Sequence, residues 1–238
     1  MKFKHYYSFS TKINDGTHSS QNVDLDWVSL RIMGDRAFAL EDSKEEYIKN
    51  AKQTSIYKEF AQEILNVLGG AKRLCSMGVG KGVLEWWIKV LAPELELCCT
   101  DYTAQSLEKL KGYFPECNKI QVFDMLRGDY SLWAKYDAIL MFRVSTEFDV
   151  DEWESIFDKI ALAGIKKVVF VPTELMTFKD IARELCLRIR SRCRGEKSVF
   201  CGWMCSETEF EMMFDKFFNV DSVKYIHNTA IFMLSPLK

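Results

Sequence analysis

Short apolar segments alternate with longer amphipathic segments from Ser55 onwards, and this alternation limits the fold more than any other feature of the sequence. The apolar runs are typical of buried strands, while the longer segments repeat their apolar residues at helical spacing. Because a parallel strand pair needs a crossover connection, this order predicts an α/β fold. We expect a mostly parallel sheet with helices on both faces.

Five central strands are predicted, at 73–77, 95–100, 119–123, 136–142 and 167–171. Helices fill the intervals, and the pairs Asp149 with Glu152 and Ser206 with Glu209 have the spacing of capping boxes at helix starts. Residues 220–234 alternate enough for two further strands, turning near His227-Asn228. An antiparallel hairpin at the edge would bring the sheet to seven strands.

The composition excludes several classes of protein. With 48% apolar and 13% aromatic residues, the 238-residue chain can bury a sizeable core. A net charge of −2, from 32 basic and 34 acidic residues, argues against a dedicated nucleic-acid binder. No apolar run approaches the roughly 18 residues of a membrane span. We expect a protein that is not associated with membranes and is a monomer or homodimer.

The eight cysteines are predicted to be free thiols. Cys75, Cys98 and Cys99 fall in predicted buried strands, and no apolar leader follows Met1, which together favour a reducing cytoplasm over a disulfide framework. The four cysteines between 186 and 205 contain no C-x-x-C pair. No metal site is therefore predicted.

The chain divides into an N-terminal extension at 1–53 and a Rossmann-like domain at 54–238. The extension is polar with scattered aromatic residues, and it shows no regular period. Two interpretations stay open for it: a partly ordered extension, or a lid over an active site.

A glycine-rich turn, Ser76-Met77-Gly78-Val79-Gly80-Lys81-Gly82, lies between the first predicted strand and the following helix. Glycines permit a tight turn and close approach of a ligand, although an ordinary turn has the same composition. Asp101 ends the second strand, where a carboxylate accepts hydrogen bonds from ribose hydroxyls. A nucleoside-containing ligand is therefore indicated.

The glycine spacing distinguishes between nucleoside ligands. It is G-x-G-x-G, and Val83 stands where the dinucleotide fingerprint G-x-G-x-x-G has its third glycine. This disfavours a nucleotide-dependent oxidoreductase. A G-x-x-x-x-G-K-[ST] phosphate loop is missing from the sequence as well.

The glycine turn, Asp101 and the order of elements resemble the class I S-adenosylmethionine-dependent methyltransferases, over about three quarters of the chain. The resemblance implies that S-adenosylmethionine is the cofactor. It implies that the three glycines line the methionine part, that Asp101 holds the ribose, that Tyr102 packs on the adenine and that Asp124 receives the adenine amino group. The full set of cofactor residues implied by the resemblance is Ser76, Gly78, Gly80, Gly82, Asp101, Tyr102, Asp124, Met125 and Phe142.

Three departures from the family pattern narrow the prediction. Ser76 stands where the family usually has an acidic residue. No Asn-Pro-Pro-Tyr-like motif follows the fourth strand, and no aspartate ends it, which disfavours the adenine-N6, glutamine and metal-dependent catechol classes. The predicted function is O- or N-methylation of a small molecule, such as a sugar, a nucleotide sugar or another metabolite. Because of Ser76, a non-catalytic methyltransferase-like partner or regulatory module stays open as the alternative.

The substrate is expected beyond the fourth and fifth strands. Arg143, Trp203 and Tyr7 are the substrate-binding candidates, although Trp203 could equally be a core residue. Glu147 is the candidate general base, because Asp149 is better explained as a helix cap. The arginine-rich segment 183–197 is either a solvated face or a site for a phosphate or carboxylate.

Overall fold

The computed structural model describes residues 3–9, 43–102, 104–194 and 197–237, with only the backbone described at 3–9, 105–106, 191 and 197–201. Within these ranges the chain builds a seven-stranded sheet in the order β4-β3-β2-β5-β6-β9-β8 and a separate two-stranded sheet of β1 and β7. The strands are β1 Phe3–Phe9, β2 Arg73–Met77, β3 Glu96–Asp101, β4 Lys119–Val122, β5 Ala138–Phe142, β6 Val168–Val171, β7 Lys197–Met204, β8 Phe218–Ile226 and β9 Thr229–Pro236.

The predicted fold class is confirmed. Strands β2 to β6 pair in parallel, whereas β9 is antiparallel to both β6 and β8. The helices are α1 Lys44–Gln53, α2 Ser55–Leu68, α3 Val83–Leu91, α4 Ala104–Tyr113, α5 Val150–Leu162, α6 Phe178–Arg194 and α7 Glu207–Phe214. None of the helices in the described ranges is long and apolar enough to cross a bilayer.

Two apolar clusters cover the two faces of the large sheet. One is rich in aromatic rings and joins α5 and α7 to the sheet, with Trp153 stacked on Phe157 at 5.2 Å between ring centroids. The other joins α1 to α4 to the opposite face through residues such as Phe60, Ile64 and Leu110. Helices on both faces leave the ends of the parallel strands as the exposed edges, and binding sites form there in such sheets.

Both predicted capping boxes are confirmed. The Asp149 side chain accepts from the Glu152 backbone N–H at 3.1 Å, and the Glu152 side chain accepts in return from Asp149 N. Ser206 and Glu209 make the same reciprocal pair at the start of α7. Asp149 is therefore occupied in capping α5.

Two features of the structure have no counterpart in the sequence prediction. Helix α1 forms within the predicted extension, where Tyr47 and Ala51, four residues apart, are its buried residues. Strand β7 lies between α6 and α7, where no strand was predicted, and it pairs antiparallel with β1. The rest of the extension, residues 10–42, lies outside the described residues.

A buried lysine, Lys89, stabilises the loop between α3 and β3 through hydrogen bonds. Lys89 is 9% exposed, and its ammonium donates to the carbonyls of Pro93 and Leu95 at 2.7 and 2.9 Å and to Asn118 Oδ1 at 3.3 Å. Asn118 Oδ1 also accepts from Leu97 N, so the same group holds the start of β3.

Lys89→Met should lower the free energy of unfolding by about 2 to 4 kcal/mol, because methionine fills the space but leaves buried acceptors without a donor. Urea denaturation measures the change. Lys111→Met is the control, because Lys111 is exposed and bonds only to the neighbouring Glu108 among described groups. Equal effects of the two substitutions would contradict the structural role of Lys89.

Candidate functional site

The glycine turn lies at the carboxyl edge of the sheet, between β2 and α3. Gly78, Gly80 and Gly82 all have positive φ, at 71°, 54° and 67°. The N–H groups of Gly78 and Val79 donate to Thr100 O at 2.8 and 3.1 Å, which fixes the turn to the end of β3. The turn thus requires glycine for its backbone conformation.

The three glycines differ in what surrounds them. A methyl group added at Gly78 would lie 2.4 Å from Val144 Cγ1, and one at Gly82 would lie 3.0 Å from Leu110. A methyl group added at Gly80 would meet nothing within 4 Å among the described residues. Gly78 and Gly82 are therefore packed against neighbouring segments, whereas Gly80 faces open space.

Asp101 joins the turn to the end of β3. Its carboxylate oxygen Oδ2 accepts from Gly80 N at 2.9 Å, so the open face at Gly80 and the carboxylate are adjacent. A carboxylate has about four acceptor sites on its two oxygens, so one backbone hydrogen bond does not saturate it.

Glu85, in the first turn of α3, is a buried acid that the sequence reasoning missed. It is 2% exposed, and its Oε1 accepts from Ser76 Oγ at 2.6 Å. Burial raises the pKa of this carboxyl to about 7, against the lowering effect of the Ser76 hydrogen bond. A polar Ser76 inside an apolar strand was the available signal, because a buried hydroxyl requires a partner.

The other predicted cofactor residues lie along the same edge with different exposure. Asp124 follows β4, and its Oδ1 accepts from the N–H groups of Leu126 and Arg127 at 2.8 and 3.1 Å. Tyr102 is 55% exposed directly after β3. Met125, by contrast, is 6% exposed and packs in the aromatic-rich core, so a contact with a ligand would have to come from its backbone.

The segment after β5 borders the glycine turn. Phe142 packs edge-on against Phe60 at 5.2 Å, and Arg143 has a positive φ of 58° with its N–H bonded to Val171 O at 2.7 Å. The Arg143 side chain is exposed, while Glu147 is half-buried and donates its N–H to Val144 O. A non-glycine residue in the left-handed region is uncommon, and strained residues of this kind cluster at active sites and ligand clamps.

The small sheet is attached to this same segment. Trp203 N donates to Thr146 O at 2.9 Å, and a methyl group at Gly202 would lie 2.4 Å from that carbonyl. Trp203 is half-buried. Tyr7 pairs with Val199 through the backbone, while its side chain lies outside the described residues.

The arginine-rich helix α6 lies against β1 and β7. Its buried Glu184 pairs with Arg188 at 3.3 Å, and Arg183 lies within 3.8 Å of Glu174 and 3.4 Å of Asp180. These two arginines are engaged by carboxylates of the chain itself.

Comparison with solved structures shows which known folds this chain resembles. The chain superposes on the mitomycin 7-O-methyltransferase MmcR with a TM-score of 0.61 at 18% identity, over 90% of this chain and 62% of MmcR. It superposes on the pyocyanin biosynthetic protein PhzM with a TM-score of 0.62 at 15% identity, over 90% and 63%. The third structure is magnesium protoporphyrin IX methyltransferase from Synechocystis PCC 6803 with bound S-adenosylhomocysteine, with a TM-score of 0.57 at 14% identity, over 91% and 95%.

The chain has the class I methyltransferase fold. The predicted resemblance is thus confirmed at the level of the fold, since identities this low carry no more than that. The chain spans less than two thirds of MmcR and PhzM. No protein-family model matches the sequence, and comparison with curated protein sequences finds no match.

On this methyltransferase fold, the structure brings predicted cofactor residues together with Arg143 and Glu147 at one edge of the large sheet. The glycine turn, Asp101, Tyr102 and Asp124 follow β2, β3 and β4, whereas Arg143 and Glu147 follow β5. Val144 joins the two groups because it packs beneath Gly78. Their roles toward a cofactor or substrate stay predictions.

Proposed function

We propose that this protein is an S-adenosylmethionine-dependent methyltransferase that acts on a small molecule at oxygen or nitrogen. The observation that carries the proposal is the Gly80–Asp101 pair, in which an open glycine face and a carboxylate meet at the carboxyl edge of a class I methyltransferase fold. A group with ribose hydroxyls fits this pair, because the carboxylate accepts the hydroxyls and the glycine admits close approach.

The residues that would hold the cofactor follow from this arrangement. Asp101 would bind the ribose, Gly80 would border the methionine part, and Tyr102 and Asp124 would contact the adenine. When bound, the cofactor supplies a sulfonium methyl group for displacement, and the chain contributes binding and alignment. The remaining predicted contacts, from Ser76, Gly78, Gly82, Met125 and Phe142, are part of the same proposal.

The substrate would approach from the β5 side, where its nucleophile can face the methyl group. Arg143, Trp203 and Tyr7 are the proposed substrate contacts, and Glu147 is the proposed general base for a hydroxyl or ammonium group. The attachment of β7 to Thr146 supports a covering role for the small sheet and the 1–53 extension. A covered site would align the reactants and strengthen the electrostatic interactions within it.

Small molecules are the proposed substrate class because two of the superposed proteins are named for methylating mitomycin and magnesium protoporphyrin IX. A screen over sugars, nucleotide sugars, amines and phenols, with S-adenosylhomocysteine formation as the readout, tests this proposal. Product formation with one acceptor class supports the enzyme. Cofactor binding without turnover of any acceptor would favour the non-catalytic module instead.

Asp101→Ala should weaken S-adenosylmethionine binding by about 1.5 to 3 kcal/mol, the range for losing a hydrogen bond to a charged group. Calorimetry measures the change. Asp137→Ala is the matched control, because Asp137 also accepts from backbone N–H groups, those of Lys72 and Arg73, but at the amino edge of the sheet. Unchanged affinity in folded Asp101→Ala would exclude the ribose assignment.

A further inference from the structure

A buried acid lies directly behind the glycine turn. Glu85 is three residues beyond Gly82 in α3, and its carboxyl reaches back to Ser76 at the end of β2, two residues before Gly78. Thr100, which holds the turn through its carbonyl, also donates its hydroxyl to Ser76 O at 3.3 Å. Glu85 and Ser76 therefore form one buried polar pair beneath the turn, and Thr100 holds the Ser76 carbonyl.

Burial, hydrogen bonds and a neighbouring charge all shift the pKa of Glu85. Burial raises the pKa of the carboxyl most, the Ser76 hydroxyl and the Glu85 backbone N–H lower it, and the negative charge of Asp101 raises it further. Cys99, also on β3, has its own pKa raised by burial first and in part by the charge of Glu85. The carboxyl is thus electrostatically connected to the residue proposed to hold the ribose.

Two lysines near α3, one on α3 and one on α2, are directed elsewhere. Lys89 lies on the same face one turn further, but its ammonium bonds to the carbonyls of Pro93 and Leu95. From α2, Lys58 lies 5.5 Å over the ring of Trp87, which does not share the face of Glu85. Helix α1 contributes the buried Tyr47, a neutral group, to this side of the sheet.

We propose that Glu85 is a positioning residue beneath the glycine turn that gives up its proton when a cationic cofactor binds there, an inference that rests on the proposed function. S-adenosylmethionine carries a sulfonium and an ammonium against one carboxylate. Its net positive charge stabilises the ionised carboxyl, so the O–H bond of Glu85 breaks and the proton passes to the buffer. S-adenosylhomocysteine lacks the sulfonium and should release fewer protons.

The proposed proton release determines how the affinity for S-adenosylmethionine changes with pH. Near neutral pH, the ligand-free protein holds Glu85 partly protonated, because burial raises the pKa of the carboxyl to about 7. A bound cation lowers this pKa, so affinity for S-adenosylmethionine should rise as pH increases. Each unit by which binding lowers the pKa corresponds to about a tenfold gain in affinity across the titration.

The experiment is calorimetric titration of the full chain with S-adenosylmethionine from pH 6 to 8, in phosphate and in imidazole. The two buffers differ in protonation enthalpy, so the difference in heat gives the number of protons released. Because the α-amino group of the ligand also titrates in this range, wild type is compared with Glu85→Gln. Glu184→Gln, which removes another buried carboxyl, is the matched control.

We expect proton release in wild type and in Glu184→Gln, and its loss in Glu85→Gln. Ser76→Ala provides a second test that needs no change at Glu85. It removes a hydrogen bond that lowers the pKa of the carboxyl, so maximal release should move to higher pH. A merely structural role for Ser76 and Glu85 would shift neither the proton count nor its pH maximum.

The outcomes separate the two proposals. If S-adenosylmethionine binds wild type with the same proton release as Glu85→Gln, or if Ser76→Ala leaves the pH maximum in place, the role of Glu85 is wrong and the proposed function stands. If wild type binds no S-adenosylmethionine, the proposed function fails and the role of Glu85 fails with it.

Discussion

Glu85→Gln is expected to stabilise the ligand-free protein increasingly as pH rises above about 4.5, by up to about 3 kcal/mol at pH 8. The pKa of the carboxyl rises from 4.5 to about 7 because burial penalises its ionised form. Each unit of this rise corresponds to about 1.4 kcal/mol. Glutamine keeps the size of the side chain and its acceptor for Ser76, but it cannot ionise.

The sign of the effect follows from proton linkage. A group with a raised folded-state pKa contributes stability that is complete below its unfolded pKa and is lost as pH rises through the folded value. For Glu85 that loss runs from about pH 4.5 to above about pH 7. Wild type should lose stability over this window relative to Glu85→Gln.

Urea denaturation of both proteins at pH 5, 6, 7 and 8 tests this prediction. The stability difference should widen with pH in favour of Glu85→Gln. A difference that stays constant with pH would contradict the buried, ionisable state of Glu85. The Glu184→Gln protein controls for loss of a buried carboxyl on α6.

Gly80→Val should abolish measurable S-adenosylmethionine binding while the protein stays folded. A side chain at Gly80 would enter open space, with nothing described within 4 Å of its Cβ, at the residue whose N–H bonds to Asp101. The folded state should tolerate the added volume, although the positive φ of 54° costs about 1 to 2 kcal/mol for a residue with a Cβ.

Gly164→Val is the matched control for Gly80→Val. Gly164 follows α5, has a φ of 70° and also has nothing described within 4 Å. The two substitutions should therefore lower the melting temperature similarly, and only the change at Gly80 should remove binding in calorimetry. Retained affinity in Gly80→Val would place the cofactor elsewhere. A much larger loss of stability at Gly80 than at Gly164 would show that the turn is chiefly structural.

The sequence predicts most of the large sheet because its signals are local. Buried strands such as Val168–Val171 are continuous apolar runs, and Asp149 and Ser206 carry their partners three residues later. Helix α1 was missed because a mostly polar helix that buries only Tyr47 and Ala51 gives little periodicity. Pairing of β1 with β7 joins segments far apart in the chain, which no local pattern reveals.

The candidate site was predictable in part for the same reason. The glycine turn and Asp101 are marked by spacing, and the structure joins them through the Gly80 N–H bond. Glu85 was missed because it is one of two charged residues in an apolar helical segment, and its burial depends on how α3 packs on β2. The sequence shows a serine at position 76 and an acid at position 85 as separate residues. Only the folded structure shows that their side chains are hydrogen-bonded to each other.

Titration of the wild-type chain with S-adenosylmethionine, S-adenosylhomocysteine and NAD⁺ tests the central claim most directly. The glycine spacing and the open face at Gly80 beside Asp101 predict that the first two ligands bind and compete for one site per chain, and that NAD⁺ does not displace them. Absence of binding by S-adenosylmethionine, or its displacement by NAD⁺, would contradict the assignment of this edge as a methyltransferase cofactor site.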